Sequence, residues 1–278
     1  AFVPKLVEAG VRVLGGCCGT SPEHIRKMGD VFRSIAPAGK RPVGFTALAS
    51  RTSFTMFGGT LPAIVIGERI NPTGRKAFAA EIKEGKTTGI RNEARLQETA
   101  GAHALDINVG VPGIDEVASM RRAVFAVNEN SVLPAVIDSS NPEAVLAGLR
   151  AVDGRPLVNS ISGEEKKLET ILPLAREYGA AVLGLALDDD GIPDTAEGRF
   201  AVVERMLNRV IKAGMRKEDL VVDCLAMTVS AAPLSAMETL KAIRMVKERL
   251  GLSTVLGVSN ISFGLPAREI INSNFLTM

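Results

Sequence analysis

The sequence lacks the features that would place the protein in a membrane or in an oxidising compartment. Its 278 residues include no tryptophan, one tyrosine, two histidines and three cysteines. The longest apolar stretches, such as Ala181–Leu187, have the length of a strand and fall well short of the ~20 residues that a membrane span needs. No basic segment leading into an apolar one marks a secretory signal, and three cysteines cannot build a disulfide framework. We therefore expect a cytoplasmic protein.

An excess of charge of one sign is also missing. The 33 basic and 31 acidic residues leave a net charge of +2, so no strong field marks nucleic acid or an anionic membrane as a partner. The ligand is expected to be a small molecule. Hydrophobic residues make up 46% of the chain, which is enough for one sizeable core or two smaller ones.

One pattern recurs from about residue 60 onwards: a short aliphatic run, a polar turn, and a stretch with helical periodicity. This alternation predicts a parallel sheet whose strands are buried on both faces. Its helices are expected to carry one apolar stripe each, as at Phe200, Val203, Leu207 and Val210. The predicted strands are Ala63–Gly67, Ala104–Asn108, Pro134–Asp138, Leu157–Asn159, Ala181–Leu187, Leu220–Asp223 and Thr254–Val258.

Seven such units favour an α/β fold of the (β/α)8 TIM barrel type over a doubly wound sheet. An eighth strand does not follow, because Ala267–Met278 is expected to begin the helix after the seventh strand. Residues 63–278 are therefore predicted to form a barrel that lacks its last strand. Residues 1–36 are predicted to be a βα remnant of another barrel, with a strand at Val11–Leu14 and a helix at Pro22–Ile35. Residues 37–62 contain proline and glycine and are predicted to be the interdomain linker.

Every predicted strand ends in or just before a carboxylate or a carboxamide. Barrel enzymes place their active sites at the carboxyl ends of the strands, so these side chains are expected to surround one cavity. Asp and Asn are also common turn formers and N-caps, which explains any one of them but explains the whole set less well. The residues are Glu68, Asn71, Asp106, Asn108, Asp138, Asn159, Asp188, Asp223 and Asn260.

Several Asp and Asn side chains around one cavity suit a flat heterocycle that is rich in N–H donors. An Asp carboxylate accepts two parallel hydrogen bonds from an amino-pyrimidinone edge, and Asn can donate and accept beside it. A pterin has that edge. A transition-metal site is disfavoured here, because the only histidine of this part of the chain, His103, lies at the start of a strand.

The motifs ERINPTGR, LDINVG, VIDSSN, VNSISG, LVVDCL and TVLGVSNISFGLPAR occur in this order between Glu68 and Arg268. Together they resemble the pterin-binding methyltransferase barrel of the cobalamin-dependent methionine synthases and of the related methyltetrahydrofolate:corrinoid/iron-sulfur protein methyltransferases. The resemblance implies that residues 63–278 are a pterin-binding methyltransferase domain, and that the barrel is of the pterin-binding type.

The resemblance also implies roles for individual residues. Asp138, Asn159 and Asp223 would hold the pterin ring. Asn260 would reach the ring nitrogen that carries the methyl group, with Arg268 nearby on the following loop. The structural alternatives are a sheet-supporting ion pair for Asp223, a helix cap for Asn260 and a solvated position for Arg268. Residues expected to line the same mouth, with roles that the resemblance defines less well, are Asp106, Asn108, Glu68 and Ser259.

Cys17 and Cys18 follow the predicted strand Val11–Leu14 directly. Adjacent cysteines do not form an ordinary unstrained disulfide with each other, whereas two thiolates at a strand end can both ligate zinc. The structural alternative is a pair of small buried cysteines. The segment LGGCCGTSPEHI, Leu14–Ile25, resembles the last strand of the homocysteine methyltransferase barrel, in which paired cysteines and a more distant one bind zinc.

This second resemblance implies that residues 1–36 are the C-terminal remnant of a homocysteine-binding zinc domain. The remaining cysteine, Cys224, lies in LVVDCL of the second barrel and is expected to be a core residue. His24 is an alternative ligand, but it lies on the helix that follows the paired cysteines. The third ligand and most of that barrel are therefore expected to precede residue 1. Zinc in such a site would lower the pKa of the homocysteine thiol and make it a nucleophile.

Taken with these resemblances, the sequence is expected to encode a module of a cobalamin-dependent methyltransferase. It would transfer a methyl group from 5-methyltetrahydrofolate to cob(I)alamin carried by another domain or protein. Three alternatives remain open: a methyltransferase of the corrinoid/iron-sulfur type, a dihydropteroate synthase-like enzyme, and a non-catalytic folate-binding fragment. The second of these needs a basic diphosphate-binding cluster and a late strand that the chain does not contain.

Overall fold

The structure, a computed structural model, describes residues 2–11, 13–35 and 44–278. The chain divides into two compact units, Ala1–Pro42 and Val43–Met278. The first unit contains α1 (Val3–Glu8) and α2 (Pro22–Ser34). The Ser21 backbone N–H donates to His24 Nδ1 at 3.1 Å, so the first turn of α2 uses this histidine side chain.

The predicted strand at Val11–Leu14 is wrong for the residues that the structure describes. Val11, Val13 and Leu14 belong to no strand, and Val13 is exposed. A strand requires a neighbour that pairs with its backbone groups, and the described part of this unit offers only helices and loops.

The second unit is built on a parallel sheet of seven strands in the order β3-β4-β5-β6-β7-β8-β9, which is the order of the sequence. All six neighbouring pairs are parallel. A βα chain in which each strand adds beside the previous one confirms the predicted barrel with seven of its strands. The strands are β3 (Ile66–Ile70), β4 (Ala104–Asn108), β5 (Ala135–Asp138), β6 (Leu157–Ser162), β7 (Ala181–Leu185), β8 (Leu220–Asp223) and β9 (Ser253–Val255).

Five of the seven strands differ from the prediction in their bounds. β5 begins one residue later than predicted, at Ala135, and β7 ends two residues earlier, at Leu185. β3 begins at Ile66 rather than Ala63, so that Glu68 lies within the strand instead of after it. β6 extends past Asn159 to Ser162, with an irregular register after Asn159. β9 ends at Val255, and its predicted end belongs to a 3-10 helix, Val258–Ser262. A run of aliphatic residues indicates a buried segment, whereas the bounds of a strand depend on backbone pairing with the neighbouring strands.

The helices cover the outer face of the sheet through apolar stripes. In α8 the predicted stripe is confirmed, since Phe200, Val203 and Val210 are buried and Leu207 packs against the same cluster. The expected helix over the last residues is confirmed as α10. The helices are α3 (Lys76–Lys83), α4 (Thr88–Thr99), α5 (Glu116–Asn128), α6 (Pro142–Ala151), α7 (Glu165–Tyr178), α8 (Ala196–Lys212), α9 (Ser235–Met245) and α10 (Arg268–Thr277).

A hairpin that the sequence reading missed lies inside the predicted linker. Its strands β1 (Thr46–Ala49) and β2 (Phe54–Phe57) are antiparallel, and residues 36–43 of the linker region lie outside the described part. Alternate residues of both strands are buried. The hairpin therefore belongs to the second unit.

The hairpin lies at the amino-terminal ends of the barrel strands. Leu48 and Phe57 pack in one cluster with the inward-facing Ala104, Val136 and Leu157, where their burial stabilises the closed end. Polar contacts join the hairpin to the strand starts: Thr46 Oγ1 donates to Glu218 O at 2.8 Å, and Thr55 Oγ1 donates to His103 O at 2.7 Å.

A cluster of oppositely charged side chains lies at the same end. Arg155 contacts Asp219 Oδ1 at 2.7 Å, donates to Gly179 O at 2.8 Å and bonds Ala47 O of the hairpin. Arg216 completes the cluster from the other side, 3.0 Å from the same Asp219 oxygen. Apolar packing and paired charges thus close the amino end, which leaves the carboxyl ends of the strands as the accessible side of the interior.

No helix in the described ranges is both long and apolar enough to span a bilayer.

Candidate functional site

Four polar side chains meet inside the curled sheet at the carboxyl ends of β4, β5 and β6. Asn108, Asp138 and Asn159 are register partners on the three strands, so their side chains point to the same inner face. Asn108 Nδ2 donates to Asp138 Oδ2 at 2.8 Å, and Asn159 Nδ2 donates to Asp106 Oδ1 at 3.1 Å. The second bond reaches across β5, which the curvature of the sheet permits. These four residues, here named the inner cluster, were all among the predicted site residues.

The inner cluster holds two carboxyl groups next to each other. Burial and the charge of Asp138 raise the pKa of Asp106 to about 8, with Glu68 adding a smaller effect of the same sign. Burial also raises the pKa of Asp138, although hydrogen bonds from Asn108 and Asp106 oppose the rise. Two neighbouring buried carboxylates cannot both ionise easily, so near neutral pH the pair retains a proton on Asp106 and leaves Asp138 as the acceptor.

Asp223 is the last residue of β8 and lies on the inner face of the same end of the sheet, beside Leu185 and Val255. Its Oδ1 accepts from the backbone N–H of Leu225 at 2.8 Å, and Leu225 has a positive φ of 61°. Burial raises the pKa of Asp223 to about 6, while the Leu225 N–H and the charge of Arg199 oppose the rise. The carboxylate has no direct ion pair among the described residues, which disagrees with a sheet-supporting ion pair as its role.

Ser259, Asn260 and Arg268 form a separate group beyond β9. Arg268 Nη2 donates to Ser259 O at 2.9 Å and its Nε donates to Ser262 Oγ at 3.1 Å, so this arginine fixes the 3-10 helix. Asn260 is exposed, and its backbone carbonyl accepts from Phe263 N. No contact joins this group to the inner cluster in the described structure. The sequence placed all three residues at the mouth but did not predict that Arg268 binds the loop itself.

The sequence reading missed the serines beside the inner cluster. Ser139 is buried and donates its Oγ to Glu116 at 2.5 Å, which ties β5 to α5. A groove with a volume of about 460 Å³ runs from Asp138 and Asn159 outward over α7. The motif VIDSSN shows two serines directly after the strand. Serine is common in turns that follow strands, so the motif alone does not indicate that Ser139 belongs to the site.

The comparisons with known proteins agree with this geometry. The family model described as pterin binding enzyme matches residues 67–278. The chain belongs to the pterin-binding enzyme family. A second model, homocysteine S-methyltransferase, matches residues 1–32. Both resemblances drawn from the motifs correspond to these matches, in the same order along the chain.

Two curated methionine synthases are similar to this pterin-binding chain over 99% of its length. The protein of Mycobacterium tuberculosis (strain ATCC 25618 / H37Rv) is 32% identical over 289 residues, and that of Mycobacterium leprae (strain TN) is 33% identical over 294 residues. The chain spans 24% of each of these relatives. The resemblance to methionine synthases that the motifs indicated is therefore confirmed.

Solved structures show the same fold for the pterin-binding barrel. A dihydropteroate synthase from Xanthomonas albilineans in complex with 7,8-dihydropteroate superposes with a TM-score of 0.54 at 17% identity, covering 78% of this chain and 82% of that one. A dihydropteroate synthetase with its product gives 0.57 at 15% identity, covering 84% and 87%. Identities this low establish the fold alone, and they confirm a barrel of the pterin-binding type.

The two adjacent cysteines do not make a metal site by themselves. Cys17 and Cys18 are exposed and their sulfurs lie 3.7 Å apart. A hydrogen bond from the Cys18 backbone lowers the pKa of Cys17. Among the described residues no group of three or more His, Cys, Asp or Glu side chains could hold a metal ion, whereas a structural zinc site uses four ligands. Cys224 is buried in the second unit, as the sequence predicted, and burial raises its pKa to about 12.

Proposed function

We propose that this chain binds 5-methyltetrahydrofolate through its pterin ring and presents the methyl group for transfer to cob(I)alamin, as one module of a methionine synthase. The observation that carries the proposal is the inner cluster, a set of Asp and Asn side chains on the inner face of a pterin-binding family barrel. Such a set matches the donors and acceptors of an amino-pyrimidinone edge.

Asp138 is the acceptor that this proposal assigns to the pterin amino and ring N–H groups. Its Oδ2 is oriented by Asn108, and Asp106 beside it retains the proton of the pair. One carboxylate can then accept while its neighbour donates to it, so that ligand binding does not require two adjacent negative charges. Asn159 uses its amide nitrogen on Asp106 and can offer its amide oxygen to the ring.

Asp223 is assigned to the other side of the ring, because it lies at the end of β8 on the same inner face. Glu68 and Ser259 are assigned to the rim of the cavity. Arg268 is assigned to holding the loop that carries Asn260, since its bonds go to Ser259 and Ser262.

Asn260 is the residue proposed to act on the reacting nitrogen. A tertiary amine is a poor leaving group, so the nitrogen must gain a proton or a strong hydrogen bond as its bond to the methyl carbon breaks. An amide does not titrate usefully, so the role proposed for Asn260 is to stabilise the protonated nitrogen while the proton arrives from solvent or through a network. A corrinoid on another domain or protein supplies the cobalt nucleophile for this displacement.

The first unit is proposed to be the end of a homocysteine-binding domain, and homocysteine and zinc are proposed as its partners in a longer protein. The match of residues 1–32 to the homocysteine S-methyltransferase model supports this assignment. Because two exposed thiols leave half of a tetrahedral zinc site open, no step of methionine formation is assigned to the residues of this chain. The cytoplasm is proposed as the compartment.

Among the alternatives, the methionine synthase assignment has the most support. Relatives of that name align with both units in one stretch, whereas dihydropteroate synthases share the fold at 15–17% identity. A methyltransferase of the corrinoid/iron-sulfur type would use the same inner cluster, but it gives no reason for the upstream match to homocysteine S-methyltransferase.

The test combines binding and turnover with the purified protein. Calorimetric titration with 5-methyltetrahydrofolate should give one-to-one binding, and stopped-flow absorbance after mixing with cob(I)alamin should show methylation of the cobalt. Tetrahydrofolate, which lacks the methyl group, is the matched control and should bind without changing the cobalt spectrum.

Each rival has its own outcome in this test. Absence of folate binding contradicts the proposal outright, and binding without transfer indicates the non-catalytic fragment. Formation of dihydropteroate from p-aminobenzoate and a pterin diphosphate indicates the synthase. Transfer to a corrinoid/iron-sulfur protein but not to free cobalamin indicates the other methyltransferase type.

A further inference from the structure

Among the described residues of the second unit, the largest fully buried side chain is a cation. Arg199, in the first turn of α8, is 1% exposed. A buried charge normally requires an ionic partner or a complete set of hydrogen bonds, because leaving water costs several kcal/mol in real proteins. What surrounds Arg199 therefore indicates why the fold keeps a charge at this position.

The hydrogen bonds of Arg199 go to neutral acceptors. Nη1 donates to Cys224 O at 2.9 Å and to Leu225 O at 3.0 Å, and Nε donates to Pro193 O at 2.9 Å. Hydroxyl groups on α9 accept the remaining bonds at 2.8 Å, from Nη1 to Thr239 and from Nη2 to Ser235. Two of these five acceptors are the carbonyls of the two residues that directly follow Asp223.

The loop after Asp223 needs such an anchor. Leu225 has a φ of 61°, a region that L-residues with side chains rarely adopt, and in this conformation its N–H points at Asp223 Oδ1. Thr239 Oγ1 lies 3.1 Å from Leu225 O and 2.8 Å from Ser235 O, so its single hydrogen is shared between the two carbonyls, whereas Arg199 donates to Leu225 O directly. The carbonyl contacts from α8 and α9 thereby fix the N–H that binds the Asp223 carboxylate.

We propose that Arg199 is a positioning residue for the ligand-binding carboxylate of Asp223, which it orients through the carbonyls of Cys224 and Leu225. The proposal rests on the proposed function for the identity of the ligand. It deepens that function by adding a buried residue behind the pterin site, on a helix that does not line the inner face. Arg199 itself touches no ligand in this role.

The charges around the pair are few. Burial lowers the pKa of Arg199, and the neighbouring acidic groups Cys224, Glu238, Asp194 and Asp223 oppose that change through their charges. Glu238 already bonds Lys241 and the Ala196 N–H. On the Asp223 side, the charge of Arg199 opposes the rise that burial causes in the pKa of this carboxylate. Removing the charge of Arg199 should therefore leave Asp223 with burial as the dominant influence.

The test uses two neutral variants, Arg199→Gln and Arg199→Met, and the charged variant Arg199→Lys. In each, the affinity for 5-methyltetrahydrofolate is measured from pH 5 to pH 9, and the Asp223 carboxyl is titrated by carbon NMR in the ligand-free protein. We expect both neutral variants to raise the pH midpoint of binding and the Asp223 pKa by roughly one unit, which weakens binding about twofold at pH 7 and about tenfold at pH 5. Titration of the ligand itself is common to all variants and cancels in the comparison.

The matched control is Arg155→Met, which removes another largely buried arginine with carbonyl and ionic contacts at the opposite end of the barrel. It should lower stability and leave the binding midpoint unchanged. The Arg199→Lys variant should retain the pH midpoint of binding, because lysine keeps the positive charge. It should bind the ligand more weakly, because lysine cannot reach all five acceptors.

An unchanged Asp223 pKa in the soluble neutral variants overturns the proposal, as does a midpoint shift of equal size in the Arg155 control. If the neutral variants do not fold, Arg199→Lys is the deciding variant. A shift in its pH midpoint of folate binding contradicts the proposed role, and so does an unchanged affinity for 5-methyltetrahydrofolate. Failure of the proposed function is a separate outcome, since the parent protein would then bind no folate while the ligand-free titration of Asp223 still reports on Arg199.

Discussion

The two ends of the barrel treat their buried charges in opposite ways. At the amino end Asp219 contacts both Arg155 and Arg216, and the β1–β2 hairpin packs Leu48 and Phe57 into the interior. At the carboxyl end Asp106 and Asp138 lie beside each other, each bonded by an asparagine amide, and their pKa values are raised.

This difference separates stability from function within one fold. Paired charges and apolar packing lower the free energy of the folded state, whereas adjacent buried carboxylates raise it and are retained where a ligand can satisfy them. The serial βα topology brings both sets to the same sheet, one at each end of the strands. Breaking each end should therefore give a different phenotype.

Loss of a site carboxylate should have the largest effect. Asp138→Ala and Asp223→Ala should each weaken 5-methyltetrahydrofolate binding by roughly 2–4 kcal/mol, because pterin donors are then left unpaired in a desolvated cavity. Calorimetric titration measures the change. Asp153→Ala, at an exposed position of the amino end, is the control and should bind like the parent. Unchanged affinity in either site variant would remove that residue from the site.

Asn260→Ala should slow methyl transfer to cob(I)alamin by roughly 10–1000-fold, the range for losing one preorganised hydrogen-bond partner. Binding should fall less, because the amide acts more strongly on the protonated nitrogen of the transition state than on the neutral amine. Single-turnover stopped-flow measurements at saturating folate give the rate. A parent rate combined with weakened affinity would mean that Asn260 only positions the pterin.

The amino end should respond in stability and not in binding. Arg155→Met breaks the contact with Asp219 and the bonds to the hairpin and to Gly179, and it should lower the free energy of unfolding by about 2–3 kcal/mol. Urea denaturation at pH 7 measures this loss. A comparable loss of folate affinity in the folded variant would show that the two ends are not independent.

Asp106→Asn should produce a smaller change of the opposite sign, and one that depends on pH. Since the folded-state pKa is raised to about 8, the folded protein holds a proton that the unfolded chain releases, and the parent loses stability as pH rises from about 4 to 8. The neutral amide removes this dependence. Between pH 5 and pH 8 the free energy of unfolding of the variant should therefore rise by about 1–3 kcal/mol relative to that of the parent.

Urea denaturation of parent and variant at both pH values gives the gain. Asp219→Asn is the matched control from the paired end and should be less stable than the parent at both. A difference between parent and Asp106→Asn that is the same at pH 5 and pH 8 would contradict the raised pKa of Asp106.

The smallest expected effect is that of zinc. The chain should retain no stoichiometric zinc after dialysis against a mild chelator, because Cys17 and Cys18 supply half of a tetrahedral ligand set. Elemental analysis of the dialysed protein measures the zinc content. Tight one-to-one retention that is lost in Cys17→Ser would contradict the prediction.

The parallel barrel and all four residues of the inner cluster could be predicted from the sequence alone. A strand buried on both faces must be aliphatic, and the polar residue at its carboxyl end interrupts that run, so both features can be read from consecutive letters. This is how Asp106, Asn108, Asp138 and Asp223 were found at their strand ends. The assignments of individual roles came from the motifs and stay predictions.

Which of these residues contact each other, and which buried residues support them, is visible only in the tertiary structure. The bond from Asn159 to Asp106 spans an intervening strand, and the hairpin at Thr46–Phe57 gains its stability from strands that lie far along the chain. In the sequence, Arg199 is one charged residue among several in a predicted helix, and nothing marks it as buried. In the structure it is buried behind Asp223. Hydrogen bonds, burial and pKa shifts of this kind depend on distances between residues remote in sequence, which local periodicity does not encode.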